Sequence, residues 1–351
     1  MQMGLARTAG PQASGIDSQP PTEVCLTVDT EFSIGGAFAH PERYRPLSRE
    51  LVDCVLAGRG EGLDFLLRTL RAFRVTATFF TEVLQCLYFG EGPMGGIVER
   101  IAADGHDVQL HLHPGWLGFR DVDWRQRVAG SDECAQRSRS ELVAMIEFGI
   151  ARFQHWGLAP PTALRAGSFA CGPVVHEAMR ECGLALGSNI GLAVYRAGDP
   201  AFHLASGTRM FENVLEAPVL SYQEALVPGG SRLRLLAITS TSSRETESLL
   251  WMARRKGISP VVLLTHPFEF IKHRDFRYRE MREDRVNQAR LRRLLDFLTV
   301  NRHAFATTTF AESGGHWLAA GSRPGELLRV PAVLALARRG QNAANTWVWR
   351  Y

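Results

Sequence analysis

Short apolar runs that end in polar side chains are the feature that most constrains the fold of this chain. The runs that we predict to be strands are residues 24–28, 75–80, 107–113, 162–165, 260–265 and 304–308. Segments with helical periodicity lie between them, and in residues 62–73 four leucines fall on one helix face, Leu63, Leu66, Leu67 and Leu70. This alternation predicts an α/β protein in which a parallel sheet or barrel is covered by outer helices.

Composition and charge argue against a nucleic-acid partner or a membrane span. The formal net charge of the 351 residues is only +4, and the densest basic runs, 254–256 and 290–293, fall in predicted helices, where a solvated face explains them. No run approaches the ~18 apolar residues of a membrane span, and residues 1–21 lack the apolar stretch of a secretory signal. The six cysteines form no CxxC pair, which indicates free thiols in a reducing compartment. We therefore expect a cytoplasmic location, and the sequence leaves the oligomeric state open.

Two pairs of residues at predicted strand ends could form a metal-dependent hydrolytic site. Side chains at positions i and i+2 of a strand point to the same face, so His111 and His113 could bind one cation, and Asp29 and Glu31 could face one site. Zinc-like ions accept imidazole nitrogen and carboxylate oxygen together. Two neighbouring carboxylates can also divide the roles of metal ligand and base. Taken alone, each pair also fits an ordinary structural role, such as a helix cap or hydrogen-bonded histidines.

Two single residues at other strand ends extend this set. Arg165 could hold a carboxylate in a bidentate pair and lower its pKa. His266 could protonate a leaving amine near neutral pH. Each of them alone is better explained as a surface arginine or a structural histidine. The order of acid pair, histidine pair, arginine and histidine, each at a strand end, is what favours a catalytic site.

This ordered set resembles the motifs of the polysaccharide deacetylases of carbohydrate esterase family 4, the NodB-homology group. The stretch VCLTVDTEF is similar to the first motif of that family, GHDVQLH to the second, RAGSF to the third and LTH to the fifth. The resemblance implies a distorted (β/α) barrel of the polysaccharide deacetylase type over residues 22–313. It leaves a disordered N-terminal lead at 1–21 and a C-terminal extension of unknown role at 314–351.

The resemblance also implies a reaction and a role for each residue. The implied roles are catalytic base for Asp29, metal ligand for Glu31, His111 and His113, support of the base for Arg165 and general acid for His266. The metal would be divalent, with zinc as the expected ion. The implied reaction hydrolyses an N-acyl group, expected to be N-acetyl, on an amino sugar or sugar-containing intermediate. The partner would be a small-molecule or glycan substrate.

Three features depart from the usual pattern of this family. The second histidine is His113, since position 115 is glycine, and the acid among the metal ligands is Glu31 in place of the usual aspartate. The fourth motif, whose aspartate orients the catalytic histidine, is not evident, so we take Glu216 as the candidate acid partner of His266. With no signal peptide, the pattern resembles a cytoplasmic branch associated with surface-polysaccharide biosynthesis.

Two other functions stay open on the sequence. One is a metal-dependent C–N hydrolase that acts on a non-sugar amide with the same scaffold. The other is a non-catalytic descendant that binds a glycan or a nucleotide sugar, although the presence of the whole set argues against it. An amidohydrolase-type metal barrel is disfavoured, because there the first strand usually ends in His-x-His, and here it ends in Asp29-Thr30-Glu31.

Overall fold

The computed structural model describes residues 19–120, 123, 131–225 and 229–347. Residues 1–18 of the expected disordered lead and 348–351 of the expected C-terminal extension lie outside the described residues. The strands are β1 Thr22–Thr30, β2 Val55–Leu56, β3 Arg59–Gly60, β4 Thr78–Glu82, β5 Asp107–Leu112, β6 Ala163–Ala166, β7 Leu186–Gly187, β8 Gly207–Phe211, β9 Val214–Glu216, β10 Ser221–Ala225, β11 Ser231–Leu235, β12 Val261–Thr265, β13 Ile271–His273, β14 Met281–Glu283, β15 Phe305–Thr307, β16 Arg323–Pro324 and β17 Leu328–Val330. The helices are α1 Arg49–Asp53, α2 Leu63–Phe73, α3 Cys86–Phe89, α4 Gly92–Ala103, α5 Arg139–His155, α6 Pro173–Glu181, α7 Ser243–Arg255, α8 Arg285–Val300, α9 Phe310–Ala320 and α10 Ala332–Trp347.

One mostly parallel sheet forms the centre of the molecule. Its strand order is β12-β1-β4-β5-β6-β7-β9-β8-β16, and β15 also pairs with β1. The pairings from β12 to β9 are parallel, whereas β8 and β16 pair antiparallel at one end. Single parallel bridges from Val219 to Val262 and from Ala237 to Leu264 bring the chain after β9 back to β12. The sheet is therefore curled into a distorted barrel, as the sequence motifs predicted.

The central parallel strands β1, β4, β6 and β12 are buried on both faces, which explains their continuous apolar runs. In β1, Val24, Leu26 and Val28 pack in the core under the outer helices, whereas Cys25 packs in a second, smaller cluster inside the barrel. The outer helices bury one face each, and in α2 the buried residues include the leucines predicted to share a face, Leu63, Leu66, Leu67 and Leu70. None of the described helices has the length and apolar composition that a membrane-spanning helix requires.

The C-terminal residues pack against the rest of the fold. The boundary expected between residues 313 and 314 lies inside α9, so the barrel and the extension share a helix. Beyond α9, β16 pairs with β8, and β17 pairs with β10. Arg338 of α10 is buried and forms ion pairs with Glu224 of β10 and Glu245 of α7. The segment after residue 313 therefore covers one side of the barrel.

Candidate active site

The two-residue period of the strands brings the predicted site residues together inside the barrel. In β1, Asp29 lies an even number of residues after Cys25, and in β6, Arg165 lies two residues after Ala163. Cys25 and Ala163 belong to the inner cluster, so Asp29 and Arg165 point to the same inner face. His266 likewise follows Leu264 of β12, another member of that cluster. Because β12, β1, β4, β5 and β6 are consecutive parallel neighbours, these side chains meet at their common carboxyl edge.

Three potential metal ligands converge at this edge. The ligand atoms of Glu31, His111 and His113 all lie within 4.8 Å of one another. Glu31 Oε2 is 2.8 Å from His113 Nε2 and 3.3 Å from His111 Nε2. His111 is buried, whereas the side chains of His113 and Glu31 are 17% and 19% exposed. The cluster thus lies at the inner end of a site that solvent and a substrate can reach.

The other ring nitrogen of each histidine is held by an acceptor. His111 Nδ1 donates to the carbonyl oxygen of Arg165 at 2.8 Å, and His113 Nδ1 donates to Asp132 Oδ2 at 2.6 Å. Neutral rings with hydrogen on Nδ1 leave the Nε2 lone pairs facing the Glu31 carboxylate. Three acceptor atoms that face one another need a cation or extra protons between them, so the donor set fits a divalent metal of the zinc type.

The charges of the cluster favour the ionised forms of both Glu31 and His113. Burial works against ionisation of Glu31, but the neighbouring His113 and His111 outweigh it and hold the Glu31 pKa well below its usual range. Burial also opposes protonation of His113, but Glu31 and Asp132 outweigh it and raise the His113 pKa well above its usual value. The Glu31 carboxylate therefore attracts positive charge at His113 Nε2, one of the atoms that would bind a metal ion.

Arg165 is completely buried and holds Asp29 in place. Its Nη1 donates to Asp29 Oδ1 at 2.5 Å and to Thr27 Oγ1 at 2.9 Å. Its Nε and Nη2 donate to the carbonyl oxygen and Oγ of Ser188 at 3.2 and 2.7 Å. The ring of Phe80 lies 4.1 Å from the guanidinium carbon. These contacts compensate a buried charge that would otherwise be costly, and they fix the orientation of the carboxylate.

Asp29 lies between the metal-ligand cluster and His266. Its Oδ2 is 4.0 Å from His111 Nε2 and also 4.0 Å from His266 Nε2. The side chain of Asp29 is 5% exposed, whereas that of His266 is 20% exposed. The structure thus brings together all six residues that the sequence selected by their positions at strand ends.

The acid partner of His266 is Glu269, and the prediction of Glu216 is wrong. His266 Nδ1 lies 3.0 Å from Glu269 Oε1, and Thr265 Oγ1 donates to Glu269 Oε2 at 2.8 Å. Burial lowers the pKa of His266, but the hydrogen bond and charge of Glu269 outweigh it and raise that pKa to about 9. Glu269 thereby keeps His266 protonated at neutral pH.

Glu216 cannot fill this role because its side chain leaves β9 on the outer face of the sheet. Its neighbour Leu215 belongs to the inner cluster, so Glu216 points the other way, toward α6. There Glu216 Oε2 lies 3.1 Å from His176 Nε2, and Oε1 accepts from the backbone N–H groups of Asn189 and Ile190 at 2.5 and 2.8 Å. Glu216 thereby holds the segment of residues 188–190, in which Ser188 accepts hydrogen bonds from Arg165.

Sequence analysis missed two acids, Glu269 and Asp132, which orient His266 and His113. Only one of them follows a pattern that the sequence shows. Glu269 stands three residues after His266 in a short helical turn that begins with Pro267, and this i, i+3 spacing could have been recognised. Asp132 comes 19 residues after His113, in a stretch without strand or helix periodicity, so no local pattern indicates the contact.

Replacing Gly167 with alanine should weaken metal binding by about 10–100-fold, the usual range when the support of a ligand is disturbed. A Cβ atom at Gly167 would lie 2.6 Å from the His113 ring, closer than real Cβ contacts allow, so the imidazole would have to move. Affinity can be measured by competition with a chromophoric chelator. Gly172→Ala is a matched control, since its added methyl group meets nothing within 4 Å. Unchanged affinity in Gly167→Ala would argue against His113 as a ligand.

Comparison with known proteins supports the fold. No family model and no curated protein matches the chain. Among solved structures, the chain is similar to a candidate polysaccharide deacetylase from Mycobacterium smegmatis, at 16% identity and a TM-score of 0.53 over 94% of this chain and 99% of that chain. It is also similar to a family 4 carbohydrate esterase from Streptomyces lividans in complex with acetate, at 12% identity and a TM-score of 0.41 over 82% and 93% of the two chains. The similarity to the mycobacterial protein shows that the chain has the fold of the polysaccharide deacetylases, which confirms the fold predicted from the motifs.

Proposed function

We propose that this protein is a polysaccharide deacetylase-type enzyme that hydrolyses an N-acyl group, expected to be N-acetyl, from an amino sugar or sugar-containing intermediate. The observation that carries the proposal is the position of Asp29, whose carboxylate lies 4.0 Å from both His111 and His266. This position supports the role of base for Asp29, next to the metal-ligand cluster on one side and His266 on the other. Hydrolysis of an amide requires a base for water and an acid for the leaving amine, on opposite sides of the reacting carbon.

The residues of the site divide the proton transfers between them. A divalent ion held by Glu31, His111 and His113 would supply Lewis acidity toward the amide oxygen and make water more acidic. Asp29 accepts the proton of the attacking water, and its hydrogen bond from Arg165 fixes the orientation of the carboxylate. His266, kept protonated by Glu269, donates a proton to the departing amine. The products are a carboxylate, expected to be acetate, and a free amino sugar.

The test is to incubate the metal-loaded protein with candidate acetamido sugars and to follow loss of the acetyl group by mass spectrometry. We expect deacetylation of at least one of them, its loss after chelation, and its recovery with zinc. Release of acetate from a non-sugar amide alone would favour the other C–N hydrolase. Tight binding of a glycan or nucleotide sugar without turnover, in protein that holds its metal, would favour a non-catalytic binding protein. The cytoplasmic location stays a prediction.

A further inference from the structure

A second polar cavity, separate in its lining residues from the candidate active site, lies between α7, α8 and α10. Its volume is about 330 Å³, and four arginines line it: Arg244, Arg290, Arg293 and Arg338. None of the described residues that line it is acidic. A cavity with this lining is suited to an anion.

The four arginines differ in whether they form an ion pair with a carboxylate of the described residues. Arg338 pairs with Glu224 and Glu245, and Arg293 pairs with Glu247. Arg290 and Arg244, by contrast, form no ion pair within the part of the chain that the structure describes.

Arg290 makes the stronger case for a missing anion. Its side chain is only 4% exposed. Its guanidinium donates to neutral acceptors alone, namely two carbonyl groups and the side-chain amides of Asn287, Gln341 and Asn342. Its Nε has no hydrogen-bond partner among the described residues. Burial lowers the pKa of Arg290 and outweighs Asp284 and Glu245, which attract its charge without bonding to it. An anion in this cavity would therefore stabilise the buried cation.

The beginning of α7 adds donors to the same cavity. This helix has 13 residues, and Ser242, Ser243 and Arg244 of its first turn line the cavity. Ser242 is occupied by its capping box with Glu245. The backbone N–H groups of Ser243 and Arg244 have no acceptor among residues 19–120, 123, 131–225 and 229–347. Free N–H groups and the positive end of the helix dipole both favour an oxyanion.

We propose that this cavity binds the phosphoryl group of a phosphate-bearing ligand. Arginine forks match the geometry of phosphate oxygens, and the free N–H groups of α7 supply further donors. The volume exceeds that of one phosphate ion, which leaves room for an attached organic group. One wall of the cavity comes from Leu334, Ala337, Arg338 and Gln341 of α10, which gives the C-terminal helix a binding role.

The cavity is connected to the catalytic acid by a short chain of contacts. Arg290 Nη1 donates to the carbonyl oxygen of Thr239 at 2.9 Å, and Thr239 Oγ1 donates to Glu269 Oε1 at 3.3 Å. Glu269 in turn holds His266. An anion that orders Arg290 would therefore also order the segment that supports the acid.

The experiment is isothermal titration calorimetry of the metal-loaded protein with inorganic phosphate and, separately, with glucose 1-phosphate, at constant ionic strength. We expect both to bind, and Arg244→Gln to weaken each by about tenfold or more through loss of a charge-assisted contact. Ala289→Glu, which places a carboxylate at an exposed lining position of α8, should abolish binding. Arg255→Gln, exposed at the other end of α7, is the matched control and should bind as the wild type does.

These outcomes separate the cavity from the metal site, which could also bind phosphate. Weaker binding in Arg244→Gln and Ala289→Glu, with unchanged metal content, supports the cavity. Tighter binding of glucose 1-phosphate than of phosphate identifies a phosphate ester as the ligand, and equal binding identifies the free ion. The proposal is overturned if neither probe binds the wild type, or if both variants bind as the wild type does. This result is independent of deacetylation, so it leaves the proposed function untouched.

Discussion

Asp29→Asn should reduce turnover of an N-acetyl substrate by about 10²–10⁴-fold or more, the scale of general-base catalysis. Asparagine has the same shape and can still accept a hydrogen bond from Arg165, but it cannot take a proton from water. Because Asp29 is not one of the three clustered ligands, metal content should remain close to that of the wild type. Initial rates and elemental analysis of the same preparation measure both quantities.

Stability should fall in the same variant, because Arg165 loses the only carboxylate that pairs with it among the described residues. Removing one partner of a buried ion pair costs about 3–5 kcal/mol, and the retained hydrogen bond should keep the loss at or below that range. Rates are therefore compared at a temperature where circular dichroism shows that the variant is folded.

Two further variants make the Asp29 result specific. Asp107→Asn removes a carboxylate at the amino end of β5, away from His111, where Asp107 bonds to Thr78 and Gln109. This variant should leave turnover within a few-fold of the wild type. His111→Ala should instead lose most of the bound metal together with activity. If Asp29→Asn loses metal and recovers activity when metal is added back, Asp29 is a ligand, and the roles assigned to Asp29 and Glu31 are reversed.

The sequence was sufficient for those parts of the site that follow from strand periodicity. Asp29, His111 and Arg165 occupy positions where the two-residue alternation sends side chains into the barrel, and the parallel order of β1, β4, β5 and β6 brings them to one edge. The first condition can be recognised in short apolar runs that end in polar residues, and the alternation of such runs with helices indicates a parallel sheet, although not the order of its strands. The convergence of these side chains is accordingly the part of the site that sequence analysis anticipated.

The shortness of β9 explains why the prediction of Glu216 as the acid partner is wrong. β9 has only three residues, and a strand this short gives no alternation from which to decide which side chain faces inward. Leu215 faces the barrel and Glu216 does not. Asp132 could not be found for a different reason. Its contact with His113 joins two residues that lie 19 positions apart and share no helix or strand, so no sequence period indicates it.

His266→Ala should lower kcat on an amide substrate by about 10²–10⁴-fold, because an amine leaves slowly unless it is protonated. The loss should be much smaller on an aryl ester of the same acyl group, whose leaving group needs little protonation. Metal content should be unchanged. His303→Ala, which removes an exposed histidine just before β15, controls for the substitution itself. Equal losses on amide and ester would mean that His266 positions the substrate, and the proton donor would have to be another group.

The dependence of the rate on pH gives a second readout that a purely structural role of His266 would not produce. An acid works only while it is protonated, so amide hydrolysis should fall as pH rises through the His266 pKa of about 9. Glu269→Gln removes the charge that raises this pKa, and the alkaline limb of kcat/KM should then move to lower pH. Hydrolysis of the aryl ester should show no such shift, because its leaving group departs without the proton. If the alkaline limb stays in place in Glu269→Gln, Glu269 does not control the protonation of His266, and the acid role assigned to this pair fails.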